Sequence, residues 1–136
     1  MSGELARQGT VQYGPAPVAD NRPFTATQLT RMDEALTLSS RETGLTFSVY
    51  VGELSHPARA HAEALFEKLT DDSVLLAVSP GQRNLHIVTG PASSVRLPNR
   101  ACALAALAMR ASFTNGDLTG GIVTGLRMLA DSAGHA

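Results

Sequence analysis

The pattern of apolar and polar positions along the chain switches between helical and strand spacing. Thr25 and Gln28 form a capping-box pattern, which marks the start of a helix, and Gly44 suits the left-handed position that ends one. These signals predict a first helix over residues 26–43. Apolar residues then alternate with polar ones over residues 45–51, which predicts the first strand of a sheet.

The middle of the chain predicts a helix followed by two strands. An apolar stripe opened by a proline indicates a second helix over residues 57–70. Residues 74–78 are wholly apolar, as in a central strand that is covered on both faces. Strand, helix and strand in succession form a right-handed crossover, so the first two strands should be parallel. Pro80 and Gly81 favour a tight turn with a positive φ at the glycine, so a third strand at 85–88 should run antiparallel.

The C-terminal third predicts two more helices. One spans residues 98–114, with Leu104, Leu107 and the alanines between them as its buried stripe. Asp117 caps the other, over residues 118–133, which contains three glycines. Since each glycine costs about 1 kcal/mol relative to alanine in a helix, we expect them to allow close approach of another backbone.

These elements predict an α/β fold with one domain at residues 24–133. It has a small mixed sheet of three to four strands, a β-α-β-β core and about four flanking helices on both faces. Residues 134–136 form a short tail. Residues 1–23 are rich in Gly, Pro and small polar residues, so we expect a flexible segment, with an edge strand at residues 10–13 as the alternative.

Composition restricts the partners and the compartment. Eleven basic and 12 acidic residues give a net charge of −1, which gives no electrostatic case for nucleic acid or an anionic membrane. No stretch approaches the roughly 18 apolar residues of a membrane span, and the amino terminus lacks a signal-peptide pattern. The single cysteine, Cys102, lies in an apolar helical stretch and should be a buried hydrophobe rather than a nucleophile. We therefore expect a cytoplasmic protein.

Strand direction brings four polar residues to one edge of the predicted sheet. Glu53, Ser79, Arg83 and Asp117 should lie at the carboxyl ends of the parallel strands, with His56 nearby. Open α/β sheets bind ligands at this edge, so these residues are the candidate binding cleft. The alternative is an ion pair between Arg83 and Asp117 that only holds the helix junction.

Asp71 and Asp72, at the opposite edge, are the candidate metal ligands. Adjacent carboxylates suit a hard cation such as Ca²⁺ or Mg²⁺, but such an ion needs six or more oxygens. The alternative is a turn in which one aspartate caps the backbone. The sequence has neither a nucleophile in an anion-binding loop nor a two-metal constellation, so we expect no catalytic residues.

Three segments resemble the TPM domain family, named after a thylakoid-lumen phosphatase, a photosystem repair protein and a receptor-accessory protein. Residues 61–66 resemble its crossover helix, residues 71–76 its acidic turn and strand, and residues 113–121 its Phe-x-x-Gly-Asp junction. The match spans roughly residues 25–133 and is nearest an uncharacterised actinobacterial branch. Asp72 replaces the family's usual Asn, and Ser73 its usual Gly.

The resemblance implies two hypotheses of different classes. Members of the family act as assembly factors for membrane complexes, which implies a non-catalytic module that binds an unidentified protein partner. Other members are described as calcium-binding domains or acid phosphatases. The alternative is therefore a divalent-cation-binding domain or a metal-dependent phosphatase.

Overall fold

The computed structural model of this chain describes residues 11–13 and 24–135. In chain order its elements are β1 (Val11–Tyr13), α1 (Ala26–Thr43), β2 (Thr46–Val51), α2 (Ala58–Phe66), β3 (Ser73–Ser79), β4 (Asn84–Thr89), α3 (Ser93–Arg96), α4 (Asn99–Thr114) and α5 (Leu118–Ala133). A 3-10 turn, Pro80–Gln82, joins β3 to β4. The predicted α/β fold is confirmed.

The sheet has the strand order β1-β2-β3-β4. The first three strands are parallel and β4 is antiparallel to β3, as predicted for the crossover and the turn. In the register, Val49 of β2 pairs with Leu76 of β3, which pairs in turn with Ile87 of β4. Every residue of β3 is buried, because helices cover both faces of the sheet.

Alternate side chains of the strands enter two separate cores. Phe47, Val49 and Leu76 face the larger core, which α1, α4 and α5 close. Tyr50 and Leu75 face the smaller core, which α2 closes. The molecule is therefore layered, with three helices on one face of the sheet and one nine-residue helix on the other.

The predicted helix ends are confirmed where a local capping signal exists. The side chains and backbones of Thr25 and Gln28 bond reciprocally at 2.9 and 3.1 Å, and Gly44 ends α1 with a φ of 77°. The carboxylate of Asp117 accepts a hydrogen bond from the backbone N–H of Gly120 at 2.8 Å, which starts α5. These ends depend only on residues three or four apart, so the sequence is sufficient to place them.

One predicted helix end and one predicted turn differ from the structure. Helix α2 ends at Phe66 rather than near residue 70, because the backbone N–H of Leu69 bonds to the carbonyl of Phe66, which tightens the chain into a turn. In the link between β3 and β4, the positive φ belongs to Arg83, at 55°, and not to Gly81. The 3-10 turn moves the left-handed residue two positions along the chain.

The predicted buried stripe of α4 is confirmed at Ala105 and wrong at Leu104 and Leu107. Leu104 and Leu107 are 49% and 64% exposed, whereas Ala105 and Met109 are fully buried. Helix α4 is apolar on most of its circumference, so the apolar pattern does not specify which face enters the core. The connector before α4 also contains the short helix Ser93–Arg96, which the sequence analysis did not predict.

Close packing explains two of the helix glycines, but the neighbours are side chains rather than the backbone that we expected. A Cβ at Gly121 would overlap the ring of Phe113, and one at Gly125 would overlap the thioether of Met109. Both neighbours belong to α4. The two glycines therefore let the side chains of α4 lie against the α5 backbone.

The amino-terminal prediction falls mainly on residues outside the described ranges. Within residues 1–23, the structure describes Val11–Tyr13, which pair in parallel with Val49–Val51 as the alternative edge strand. No helix among the described residues is long and apolar enough to cross a membrane.

Candidate functional site

Two loops meet at the carboxyl ends of the parallel strands, and Gln82 joins them. Its side-chain oxygen accepts hydrogen bonds from the backbone N–H of Leu54 at 2.8 Å and from the hydroxyl of Ser79 at 2.5 Å. Its amide nitrogen donates to the carbonyl of Leu54 at 3.0 Å. The loop after β2 and the turn after β3 are thereby fixed to each other.

A second set of contacts fixes the loop between β2 and α2. The hydroxyl of Tyr50 donates to the carbonyl of Glu53 at 2.8 Å, and the backbone N–H of Ser55 donates to Nδ1 of His61 at 2.7 Å. The Tyr50 and His61 rings meet edge to face with their centroids 6.3 Å apart. Backbone positions in this loop are therefore set by side chains on both flanking elements.

The four predicted cleft residues differ in their accessibility. Glu53, Arg83 and Asp117 are exposed, whereas Ser79 is only 1% exposed and its hydroxyl is bonded to Gln82. Topology places Arg83 and Asp117 at the same end of the molecule, since α4 starts near the opposite end of the sheet and α5 runs back. Three charged side chains therefore project from this end, and Ser79 belongs to the framework beneath them.

The alternative that the sequence allowed, an ion pair between Arg83 and Asp117, is not formed within residues 24–135. The Asp117 carboxylate is instead used as the N-cap of α5. A salt bridge does join Arg59 and Glu63 on α2, at 3.3 Å. The helix junction is held by the Asp117 cap and by the backbone bond from Asp117 N–H to Ser112, at 2.9 Å.

Asp71 and Asp72 are engaged in turn contacts at the other end of the sheet. The carboxylate of Asp72 accepts a hydrogen bond from the hydroxyl of Thr70 at 2.5 Å. The backbone carbonyl of Asp71 accepts from the N–H groups of Ala92 and Ser93 at 3.1 and 3.2 Å. Among the described residues, no group of three or more His, Cys, Asp or Glu side chains could hold a metal ion.

Sequence analysis missed Arg96, which holds two helix ends together. Its guanidinium donates to the carbonyl of Thr43 at the end of α1, and to Ala133, Gly134 and His135 at the end of α5. A cation at two helix C-termini also complements their dipoles. These partners lie 37 to 53 residues from Arg96 along the chain, so no local pattern marks them.

The outer edge of β4 carries a second cluster of charged groups. The guanidinium of Arg59, on α2, lies at this edge and donates a hydrogen bond to the carbonyl of Ile87 at 3.1 Å. Burial, together with the positive charges of Arg59 and Arg110, lowers the pKa of His86. Burial raises the pKa of the Cys102 thiol, which is consistent with a hydrophobe rather than a thiolate nucleophile.

The fold and its loop end define a small α/β domain with a four-stranded mixed sheet. The chain belongs to the family described as "Domain of unknown function (DUF5130)", whose model matches residues 3–130. It is similar to two uncharacterised proteins of Mycobacterium tuberculosis, from strains CDC 1551 and H37Rv. Each is 35% identical over 124 residues, which cover 90% of this chain and 73% of the relative.

Three solved structures share the fold. The BA42 protein of the psychrophilic bacterium Bizionia argentinensis has a TM-score of 0.76 at 16% identity, covering 84% of this chain and 83% of its own. The N-terminal domain of a P. gingivalis protein has a TM-score of 0.72 at 16% identity, covering 83% and 78%. The N-terminal domain of the cg2496 protein of Corynebacterium glutamicum has a TM-score of 0.63 at 12% identity, covering 88% of each chain.

Proposed function

We propose that this chain is a TPM-like domain that acts in the cytoplasm as a non-catalytic protein-binding or assembly module. The positions of the three similar segments support the resemblance. Residues 61–66 lie in the crossover helix α2, residues 71–76 lead into β3, and residues 113–121 form the junction between α4 and α5. The proposed contact surface is the loop end of the sheet, with Glu53, Arg83 and Asp117.

The observation that carries this proposal is the way in which Arg83 is presented. Its backbone adopts φ 55° and ψ 39°, a left-handed conformation that costs a non-glycine residue about 1 kcal/mol. Gln82, the preceding residue, is tied to Leu54 by two hydrogen bonds. A charged residue held in a costly conformation on a fixed turn is typical of a recognition site. Its guanidinium is suited to a carboxylate on a partner.

Two of the groups that could serve in catalysis are engaged in structural contacts, which favours binding over chemistry. The hydroxyl of Ser79 is buried and donates to Gln82, so it is not presented to a substrate. The carboxylate of Asp72 is bonded to Thr70. The exposed Glu53 and Asp117 instead add negative charge at the same end of the molecule as Arg83, a mixture of signs that suits the polar rim of a protein interface.

Affinity capture from the cytoplasm of the source organism tests the proposal. The immobilised full chain should retain a defined protein, and Arg83→Ala should reduce its recovery about tenfold, as expected for a lost charged contact. Arg41→Ala, which removes an exposed arginine on α1, is the matched control and should leave recovery unchanged. Equal recovery by the wild type and Arg83→Ala would contradict the assignment of this surface.

A cation titration tests the alternative. Amide NMR shifts of the full chain should stay unchanged near Asp71, Asp72 and Asp117 as Ca²⁺ or Mg²⁺ is added to about 1 mM, since a hard cation needs six or more oxygens. A generic phosphomonoester should not be hydrolysed. Saturable shifts at these aspartates, or turnover of the ester, would favour a cation-binding or phosphatase domain instead.

A further inference from the structure

The outer face of α4 is an apolar stripe bordered by arginine. Seven exposed positions follow helical spacing on this face, and we call them the α4 stripe: Arg100, Ala103, Leu104, Leu107, Arg110, Ala111 and Thr114. At 1.5 Å per residue, the stripe is about 21 Å long. Its two leucines are 49% and 64% exposed, and no acidic residue occurs anywhere in α4.

The corresponding outer face of α1 shows what an ordinary solvent-facing stripe looks like in this protein. It carries Asp33, Glu34 and Arg41 around a half-exposed Leu38. Charges of both signs on such a face keep it hydrated. The α4 stripe lacks this mixture, since its only charged groups are two arginines. We propose that the α4 stripe binds an acidic amphipathic helix of another protein.

Charge complementarity selects this occupant over a second copy of the chain. Two-fold pairing of α4 with itself would bring four guanidinium groups together with no carboxylate from either helix, because α4 contains none. A partner helix with Asp or Glu beside its apolar face would instead pair with Arg100 and Arg110. Like charges across an interface exclude a partner, whereas opposite charges both steer and select it.

Charge also argues against a lipid surface as the occupant. Each arginine near an anionic bilayer adds only a weak, salt-sensitive attraction, and the stripe offers two, Arg100 and Arg110. Stable peripheral anchoring needs two strong signals, such as a lipid chain with a polybasic patch. Two half-exposed leucines and two arginines provide neither.

The shape of the stripe suits helix-on-helix packing. Leu104 and Leu107 are three residues apart and lie on one face, so each can enter the gap between turns of a facing helix. Ala103 and Ala111 beside them leave room for a close approach. The partner segment should therefore span about three to four turns, with apolar residues at i, i+3 or i+4, and i+7.

Titration of the ¹⁵N-labelled full chain with designed helical peptides tests this inference. One peptide carries three leucines on one face, flanked by glutamates, and its match has lysines in place of the glutamates. The acidic peptide should shift α4 amides and bind at least about tenfold more tightly than the lysine peptide. Higher salt should weaken its binding.

Variants separate this surface from the loop end. Leu107→Ser should weaken binding of the acidic peptide about tenfold, and Arg100→Gln with Arg110→Gln should remove its advantage over the lysine peptide. Leu38→Ser on α1 is the matched control and should bind like the wild type. Arg83→Ala should also bind normally, because the inference does not depend on the proposed loop-end surface.

Four outcomes would overturn the inference. Equal affinity for the two peptides, or shifts outside α4, would remove the acidic helix as the occupant. A dimer in sedimentation that Leu107→Ser dissociates would assign the stripe to a second copy of the chain. Binding to vesicles containing phosphatidylglycerol that exceeds binding to the acidic peptide would assign it to a lipid surface.

Discussion

Replacing Arg96 by alanine should destabilise the fold by removing the link between the ends of α1 and α5. The guanidinium donates to Thr43 at 2.5 Å, and through Nε and Nη2 to Ala133 at 3.3 and 3.0 Å. Gly134 and His135 accept further bonds at 2.8 and 3.2 Å. Nη2 has two hydrogens for three acceptors, so about four full bonds are lost.

The size of the destabilisation depends on which of the four carbonyl groups water can reach after Arg96 is replaced. Thr43 is fully buried, so its unpaired carbonyl should cost about 2 kcal/mol. Ala133 is partly buried and should cost about 1 kcal/mol. Gly134 is partly buried and His135 is exposed. Both lie beyond the last residue of α5, where water should replace most of their bonds. The total loss in free energy of unfolding should therefore be about 3 kcal/mol.

Urea denaturation followed by circular dichroism measures this loss. With a denaturant slope of about 2 kcal/mol per M, the midpoint of Arg96→Ala should fall by about 1.5 M. Arg96→Lys keeps the charge but not the planar fork, so its midpoint should lie between those of the wild type and the alanine variant. Thermal unfolding of the same three proteins should give the same order.

Arg127→Ala provides the control, since it removes an exposed arginine from α5 and should change stability by less than about 0.5 kcal/mol. A loss below about 1 kcal/mol in Arg96→Ala would refute the reasoning about buried carbonyls. A lysine variant as stable as the wild type would show that charge at the helix ends, rather than the fork of donors, supplies the stability.

Two further predictions concern stability. Gly90→Ala should lower the free energy of unfolding by about 2 kcal/mol, because its Cβ would lie 2.5 Å from the Asp71 carbonyl oxygen. Gly81→Ala has open space around it and should change the free energy of unfolding little. Urea midpoints measure both variants. Burial and the charge of Arg59 lower the pKa of His86 below 6.5, so the unfolded chain binds this proton more readily than the folded chain. Stability should therefore fall as pH decreases through 6.5 towards 5, and His86→Gln should flatten this slope in urea titrations at pH 5 and 7. An unchanged slope would contradict the contribution of His86.

The parts of the fold that the sequence predicted depend on neighbours within a few residues. The capping box at Thr25 and the left-handed Gly44 place both ends of α1 without any tertiary information. The apolar run at residues 74–78, within β3, likewise indicates a strand that is buried on both faces. Strand direction then put Asp72 and Arg83 at opposite ends of the sheet, and the structure has them there.

The contacts that hold the candidate site together join residues far apart in the chain. Gln82 bonds to Leu54, 28 positions away, and Arg96 bonds to Thr43, 53 positions away. Long polar side chains in loops are mostly solvated, so nothing in the local pattern distinguishes these two from their neighbours. Their roles become visible only when the sheet brings the loops together.

Helix α4 shows why its own pattern was misleading. Alanine and leucine occupy both sides of the helix, so helical periodicity alone allows either face to be buried. The two glycines of α5 resolve the choice, because Met109 packs on Gly125 and Phe113 on Gly121, four residues apart on each helix. That pairing turns Leu104 and Leu107 towards solvent. An apolar face that the fold leaves uncovered is therefore a consequence of the α4–α5 packing, and its lack of acidic side chains is what makes it a surface for a partner.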